Sequence, residues 1–418
     1  MLEALETLGG NVQCASSRES IMYQTAVFNK DVPTMTGILA ETIRDALITE
    51  EEVLQQLDTA TYEINEIWAK PELILPELVH TAAYQGNTLG NPLLCPVDRL
   101  DKINKQVIEE YRSIFFRPER LVVAFAGVEH EVAVKLAEKY FGDMPATPLT
   151  TSTDSVMRGI LSKIPIFSAG PSNTSLPIGT SPPSHYTGGI LTHPPPSASN
   201  LPQHCHFHIA FEGLPIGDPD IYALTTLQTV LGGGGSFSSG GPGKGMYSRL
   251  YTNVLNEFGW VESAVTFSHS YTDSGLFGVA ASCHPDAGHA LVPVILKELQ
   301  KTFATDSGGL NNEEVARAKN QLRSSLLMNL ESRMIELEDL GRQVQVYGKK
   351  ISALEMSQKI DRLTVEDIRR VAKKVLKGKV KNPGKGAGGA TIVVQAEENQ
   401  VHAMGNLMGQ VKKFKLGR

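Results

Sequence analysis

Cysteine is scarce in this 418-residue chain, and no two of the four cysteines form a C-x-x-C pair. Such wide spacing does not fit a disulfide framework or a cysteine zinc site, and it is typical of a reducing compartment. Long apolar runs are also missing, since no stretch approaches the roughly 18 residues of a membrane helix. The length and the ordinary hydrophobic content predict a globular protein with two or more domains.

An excess of basic residues is missing as well. The formal net charge is -6 and the sequence pI is about 6.0. Proteins that bind nucleic acid usually carry a basic footprint, so no nucleic-acid partner is predicted. The small acidic excess mildly favours a basic partner or substrate.

The chain opens with neither a secretory signal nor an Arg-rich transit segment. Instead "MLEALETLGG" has Leu2, Leu5 and Leu8 at helical spacing, followed by Gly9-Gly10. This pattern predicts an amphipathic helix with a glycine stop. We therefore expect that the chain begins inside a domain and that a transit peptide is not part of this sequence.

Known catalytic motifs are absent: H-E-x-x-H, H-x-x-E-H and G-x-S-x-G do not occur. The segment "HCHFHIAFEG" does bring His204, His206 and His208 to one face of a predicted strand, because strand side chains alternate. Three imidazoles could hold Zn²⁺, but no carboxylate is spaced to act as a base. Ordinary histidines at a strand edge are the preferred interpretation.

The chain also repeats itself. Two long helices with acidic starts are predicted, "ITEEEVLQQLDTATYEINEIW" and "LNNEEVARAKNQLRSSLLMNL", and each is followed by an amphipathic helix and a short apolar strand, "RLVVAFAG" or "ATIVVQAE". Matches at one constant offset indicate an internal duplication. The matched pairs are Glu50-Glu51 with Glu313-Glu314, Tyr84 with Tyr347, and Asp98-Arg99-Leu100 with Asp361-Arg362-Leu363.

We predict an α+β fold of two duplicated domains, each a mainly antiparallel sheet with helices packed on one side. The first domain, residues 1–146, is expected to be incomplete, because it lacks counterparts of the opening strand, helix and loop of the second. The second domain covers residues 203–418 and opens with "HCHFHIAFEG" and the helix "DPDIYALTTLQTVL", which has an acidic N-cap. Residues 147–202 are rich in Pro, Ser and Gly and are predicted to be a linker or exposed insert.

Glycine is concentrated in "LGGGGSFSSGGPGKGMYSRLY". A phosphate-binding loop requires G-x-x-x-x-G-K-[ST], whereas Gly243-Lys244 is followed by Gly245. A mobile loop that closes over a ligand is favoured, with a flexible surface insertion as the alternative. The candidate substrate-binding residues in this segment are Gly232, Gly233, Gly234, Gly235, Ser236, Phe237, Gly240, Gly241, Gly243, Lys244, Gly245 and Met246.

Taken together, "LGGGGSFSSGGPGKGMYSRLYTNVLN", "LETLGGNVQCASSRESIMYQ" and "WAKPELILPELVHTAAYQGNTLGNPL" resemble the pitrilysin-like, inverted-motif zinc peptidases. The resemblance covers nearly the whole chain outside the Pro/Ser-rich segment. It implies the same duplicated α+β fold, and its glycine-rich segment resembles that of a non-catalytic subunit in a heterodimer.

This resemblance also implies site residues. Glu63 occupies the position of the third zinc ligand, which we expect to be a relic without metal, since no histidine partners are present. Arg249 matches an arginine that helps to position substrate in catalytic relatives and is added to the candidate substrate-binding residues. Glu262 stands where those relatives have a tyrosine. No cofactor is expected in this chain, and zinc is expected in the partner.

The implied partners are a catalytic beta subunit and the basic presequence peptides of proteins imported into mitochondria, with a location in the mitochondrial matrix. The expected role is substrate recognition without independent activity. A structural core subunit of the respiratory cytochrome bc1 complex is the alternative. A self-sufficient metallopeptidase is the third hypothesis, which the absent motif disfavours.

Overall fold

The computed structural model describes residues 2–145, 182–196, 204–236, 245–306 and 308–418. The chain divides into two compact units of non-contiguous segments. The first comprises Met1–Asn65, Leu93–Pro182 and Met328–Lys350. The second comprises Glu66–Pro92, Pro183–Leu327 and Ile351–Arg418. In the part of the chain that the structure describes, no helix is both long and apolar enough to cross a bilayer.

The first unit is mainly helical, with one antiparallel hairpin in register from Asn11↔Ala26 to Ser16↔Ile21. Its few buried apolar residues include Met35, Val53 and Ile114. The elements from its segments are α1 (Leu2–Leu8), β1 (Asn11–Ser16), β2 (Ile21–Ala26), α2 (Val32–Arg44), α3 (Glu50–Trp68, whose last turn belongs to the second unit), α5 (Lys105–Phe115), α6 (His130–Phe141) and α10 (Arg333–Tyr347).

The second unit contains a six-stranded sheet in the order β3-β8-β4-β7-β6-β5. Strands β3 and β8 are parallel, and the other neighbours are antiparallel. Its elements are α4 (Pro71–Ala83), β3 (Gly189–His193), β4 (Cys205–Glu212), α7 (Ile221–Leu231), β5 (Gly233–Gly235), a π-helical turn (Tyr251–Leu255), β6 (Val261–Ser270), β7 (Gly275–Cys283), α8 (Gly288–Lys301), α9 (Asn312–Leu330, whose last three residues belong to the first unit), α11 (Ala353–Asp361), α12 (Val365–Leu376), β8 (Thr391–Gln395), α13 (Glu398–Ala403) and α14 (Leu407–Lys413).

One face of this sheet carries the main core. Alternate residues of β4, such as Phe207, Ile209 and Phe211, pack with helices α7, α8 and α12 and are fully buried. Helix α4 contacts β3, β4 and β8, and none of its residues belongs to that core. The predicted α+β class is confirmed, with the addition that α4 packs on the sheet apart from the main helical layer.

The predicted repeat is visible in the element order. Helix α3 has its equivalent in α9, and α4 has its equivalent in α10, each at the offset found in the sequence. The capping box expected at Thr364 and Asp367 is present at the start of α12. The equivalent helices α4 and α10 belong to opposite units, α4 to the second and α10 to the first. Each compact unit therefore includes a helix from the other copy.

Three local expectations from the sequence are wrong. Residues 121–125 of "RLVVAFAG" form no strand. Their equivalent in the second copy, β8, is paired between β3 and β4, whereas the described part of the first unit has no counterpart of β4 with which they could pair. Asp220 stands at the N-cap of α7 but does not cap it, because its carboxylate pairs with Arg370 and Lys374. The described residues 182–196 are not a linker, since they contain β3 and the fully buried Tyr186.

A buried carboxylate closes the end of β4. Glu212 accepts a hydrogen bond at 2.9 Å from the amide of Asn382, which also donates to the Ser274 hydroxyl. Burial raises the pKa of Glu212 from its ordinary 4.5 to about 6, against the opposing effects of Asn382, His185, Ser274 and Arg418. The folded state therefore holds a proton that the unfolded chain has already released, and stability falls as the pH rises from about 4.5 to about 6.

We expect Glu212→Gln to remove this pH dependence. At about 1.4 kcal/mol per pKa unit, the wild type should lose about 2 kcal/mol relative to the variant across that window. The glutamine carbonyl can still accept the Asn382 hydrogen bond. Urea unfolding followed by fluorescence at several pH values measures the difference, and parallel pH profiles for the two proteins would contradict it.

Candidate functional site

The glycine-rich segment leaves α7 through two residues that only glycine tolerates. Gly232 has φ 55° and Gly233 has φ 101°, a region that side-chain-bearing residues rarely adopt. A Cβ on Gly232 would lie 2.4 Å from the Cβ of Ser248. A Cβ on Gly233 would lie 1.9 Å from the carbonyl oxygen of Ala264. These glycines are required by close packing as well as by backbone conformation.

The segment then forms the edge strand of the sheet. Strand β5 pairs antiparallel with β6, with Gly233 opposite Val265 and Gly235 opposite Ser263. The Thr266 amide donates to the Gly232 carbonyl at 2.9 Å, and the Ser236 amide donates to the Glu262 carbonyl at 2.7 Å. Residues 232–236 were predicted to lie in a mobile loop and are instead held in a hydrogen-bonded ladder.

Of the candidate substrate-binding residues after Ser236, some lie in the part of the chain that the structure describes and others do not. Phe237, Gly240, Gly241, Gly243 and Lys244 lie outside the described residues. Gly245 has φ 85°, and its carbonyl accepts a hydrogen bond from the Ser248 amide at 2.9 Å. Met246 is 36% exposed and Tyr247 is 77% exposed.

Ser248 ties the two ends of the segment together. Its hydroxyl oxygen accepts the Gly233 amide at 3.0 Å, so the returning chain lies directly beside the start of β5. Neither Ser248 nor the exposed Tyr247 was among the residues expected from the sequence. The only available signal was an aromatic and a hydroxyl residue directly after the glycines in "MYSRLY".

Arg249 is buried rather than presented to solvent. Its guanidinium donates to the carbonyls of Gly308 and Gly309 and forms an ion pair with Glu314 at 2.9 Å. Glu314 lies in the first turn of α9, so Arg249 fastens the returning chain to that helix. This arrangement suits a positioning role, and direct contact with substrate stays a prediction.

Glu262 is an exposed carboxylate on β6, the strand that pairs with the edge strand. It lies at an irregularity of β6 between Val261 and Ser263, and its carbonyl receives the Ser236 amide. Because Arg249 is neutralised by Glu314, the described part of this site presents an acidic rather than a basic side chain.

Of the three histidines, His206 and His208 lie within β4 and are not at a strand edge, whereas His204 precedes the strand and is exposed. Strand β4 lies between β8 and β7 in the middle of the sheet, which corrects the interpretation made from the sequence. Burial lowers the pKa of His206 to about 4 and that of His208 to about 3, with a smaller effect of the neighbouring imidazole in each case. Both rings are therefore neutral at physiological pH, and they are structural parts of the sheet face opposite the main core.

The described residues do not bring together the ligands of a metal site. Glu63 is exposed in the middle of α3, and no three histidine, cysteine, aspartate or glutamate side chains in the described ranges lie close enough together to hold an ion. Zinc in the partner subunit stays an expectation from the sequence resemblance.

Comparison with known families identifies the class. Residues 1–97 match the model for insulinase, peptidase family M16, and residues 102–322 match the model for the M16 inactive domain. The chain belongs to peptidase family M16.

Its relatives are more specific. The chain is similar to the mitochondrial-processing peptidase subunit alpha of Neurospora crassa, at 59% identity over 94% of this chain and 76% of the relative. It is 46% identical to the probable subunit alpha of Schizosaccharomyces pombe over 100% of this chain and 77% of that protein. The human subunit alpha is 35% identical over 91% of this chain and 69% of the relative.

A solved structure has the same fold. A chain of the complex titled "Complex III2 from Candida albicans, Inz-5 bound" superposes with a TM-score of 0.68. The two share 16% identity, and the match covers 97% of this chain and 86% of the other. At that identity the likeness concerns the fold alone.

Proposed function

We propose that this chain is the non-catalytic, substrate-recognition subunit of a heterodimeric mitochondrial processing peptidase and helps to remove presequences from imported precursor proteins. The observation that carries the proposal is the glycine edge strand with its exposed surroundings, Tyr247, Met246 and Glu262. The relatives named subunit alpha support it through their high identity over nearly the full chain. Their names also support a mitochondrial location, and we propose the matrix as the compartment.

The chemistry of the described residues suits this chain to peptide binding and leaves cleavage to a partner subunit. The described residues offer backbone groups, apolar contacts and an acidic side chain, all suited to a basic and extended peptide. A catalytic beta subunit is the proposed partner, and its zinc ion would supply the activation of the attacking water. This chain's residues would capture and orient the peptide before cleavage.

Cleavage of a fluorogenic presequence peptide tests the proposal directly. We expect activity from a mixture of this chain and the catalytic beta subunit, and none from either chain alone. Activity from this chain alone that a chelator abolishes would contradict the non-catalytic role. The same rate with and without this chain would favour the alternative, a core subunit of the cytochrome bc1 complex, with which the fold is compatible.

The role of the glycine-rich segment is tested by replacing residues 237–244 with a four-residue Ser/Thr linker. This design keeps β5 and the hydrogen bond from the Gly233 amide to Ser248, both of which deletion of residues 232–245 would remove. We expect peptide affinity for the heterodimer to fall about tenfold, equivalent to about 1.4 kcal/mol of lost contact. Size-exclusion chromatography should find dimer formation unchanged. Unaltered peptide affinity in an intact dimer would argue against a role in recognition.

A further inference from the structure

Positive charge is concentrated in the last part of the second unit, although the chain as a whole is acidic. Residues 376–418 contain eight basic and two acidic side chains, whereas the whole chain has a net charge of -6. Of the two acidic residues, Glu397 caps α13 with its own carboxylate, and Glu398 lies beside His402. The basic side chains of this segment therefore have few carboxylates close to them in sequence.

Four of these lysines surround one cleft with a volume of about 410 Å³, which we call the lysine cleft. Its lining residues are Lys377, Lys379, Lys412, Lys415 and residues 416–418. None of the four ammonium groups forms an ion pair with a carboxylate in the part of the chain that the structure describes. Lys374, one turn earlier, is by contrast paired with Asp218 and Asp220. The lysine cleft is thus a concave surface with unbalanced positive charge.

The two helices that border the lysine cleft end in the same backbone motif. After α12, the amide of Gly378 donates to the Val375 carbonyl. After α14, the amide of Lys415 donates to the Lys412 carbonyl, and in both helices the next amide donates to the carbonyl five residues before it. This motif places the residue after the cap in the left-handed region, where glycine is usual. Gly378 and Lys415 occupy that position, each with φ 58°.

Lysine at this position is unfavourable for the backbone. Residues with side chains rarely adopt positive φ, and strain of this kind is concentrated at functional sites. The end of α12 shows that glycine forms the same motif in this fold, so folding alone does not require a lysine at position 415. The strained conformation of Lys415 therefore favours a role for its ammonium group in the lysine cleft.

Backbone contacts hold the sides of the lysine cleft together. The Gly417 amide donates to the Leu376 carbonyl at 2.8 Å, and the Arg418 amide donates to the Gly388 carbonyl at 2.9 Å. A Cβ on Gly378 would lie 1.9 Å from the Gly388 carbonyl oxygen, so these segments are in close contact. The lysines extend from a fixed backbone frame, which is what a precise binding site requires.

Charge and size together indicate the kind of ligand. The end of each helix contributes about half a negative charge, so the two ends offset about one of the four lysines. A single phosphate group carries about two negative charges at most, which is less than the roughly three positive charges that remain. Lysine binds phosphate as a point charge, and the volume of the cleft lies in the range of about 300–1,000 Å³ that is usual for small-molecule sites.

We propose that the lysine cleft binds a soluble small molecule that carries two or more linked phosphate groups. Lys377 and Lys379 contact the phosphate oxygens from the end of α12, and Lys412 and Lys415 contact them from the end of α14. This site is independent of peptide recognition at the glycine-rich segment. An attached organic group would occupy the remainder of the cleft.

Calorimetric titration of the full chain with inorganic pyrophosphate tests the proposal. We expect binding that weakens about tenfold in the double variant Lys379→Gln/Lys412→Gln, equivalent to about 1.4 kcal/mol. The control variant Lys381→Gln/Lys413→Gln removes the same charge from exposed lysines that do not line the cleft, and it should retain wild-type affinity. Equal weakening in the two variants would reveal only a general effect of net charge and would overturn the proposal.

The variant Lys415→Gly distinguishes binding from folding. Glycine is the favoured residue at this position of the motif, so the urea midpoint should equal or exceed that of the wild type. Pyrophosphate affinity should nevertheless fall about tenfold, because one charged hydrogen-bond donor is lost. Unchanged affinity would contradict the assignment of Lys415 to the site.

Two further probes define the ligand class. Inorganic phosphate should bind more weakly than pyrophosphate, because a single phosphate leaves part of the positive charge unmatched. Vesicles of phosphatidylglycerol and phosphatidylcholine should show no sedimentation with the chain that depends on Lys379 and Lys412. The proposal is wrong if pyrophosphate does not bind, if phosphate binds equally well, or if the cleft lysines promote binding to vesicles alone.

Discussion

Arg249→Ala is expected to lower the stability of the second unit by about 3–5 kcal/mol, the usual effect of removing one partner from a buried ion pair. The substitution leaves Glu314 without its counter-charge and leaves the carbonyls of Gly308 and Gly309 without a donor. Both tryptophans, Trp68 and Trp260, belong to the second unit. The shift of the urea midpoint in tryptophan fluorescence therefore measures the loss.

Two related variants test whether loss of the ion pair with Glu314 causes this destabilisation. Glu314→Gln keeps a hydrogen-bond acceptor for Arg249 and should destabilise less than Arg249→Ala. The double variant Arg249→Ala/Glu314→Ala should lose less stability than the two single variants lose in total, because the second substitution removes a charge that the first has already left unpaired. Fully additive effects would mean that the pair does not act as a unit. A large loss of peptide affinity at unchanged stability would instead favour direct contact of Arg249 with substrate.

Gly233→Ala should have an effect of similar size, whereas Gly234→Ala should have almost none. The added methyl at Gly233 meets the Ala264 carbonyl at 1.9 Å, and φ is 101°. Backbone strain of this type and overpacking each destabilise by about 1–3 kcal/mol. Because β5 is an edge strand, part of this strain can be relieved by separation from β6.

Hydrogen exchange detects that separation. In Gly233→Ala the amides of Thr266 and Ser236, which bridge β5 and β6, should exchange faster than in the wild type. In Gly234→Ala they should retain wild-type rates, since the added Cβ meets nothing within 4 Å. Equal rates and equal urea midpoints for the two variants would show that the packing of Gly233 against Ala264 is unimportant.

The helices and their duplication could be predicted from the sequence. Periodic apolar residues and capping residues act within one or two turns, so α3, α9 and α12 form where their local patterns place them. The strands β4 and β8 were found for the same reason, as short apolar runs bounded by polar or glycine residues. Glycine composition likewise located the candidate site without describing its form.

Strand pairing could not be predicted in the same way, because it depends on partners distant along the chain. β3 lies in a segment whose composition indicates a linker, yet it pairs in parallel with β8 at the far end of the sequence. Residues 121–125 have strand-like composition and no described neighbour to complete a ladder. The exchange of α4 and α10 between the compact units is equally invisible to local patterns.

The sequence by itself determined the fold class, the internal repeat, the family and the position of the glycine-rich segment. Only the tertiary structure decided that residues 232–236 form an edge strand, that Arg249 is held by Glu314, and that His206 and His208 are neutral groups in the middle of a sheet. The physical reason is that composition and periodicity act locally. Burial, charge pairing and the direction of a backbone hydrogen bond are fixed only when distant segments meet.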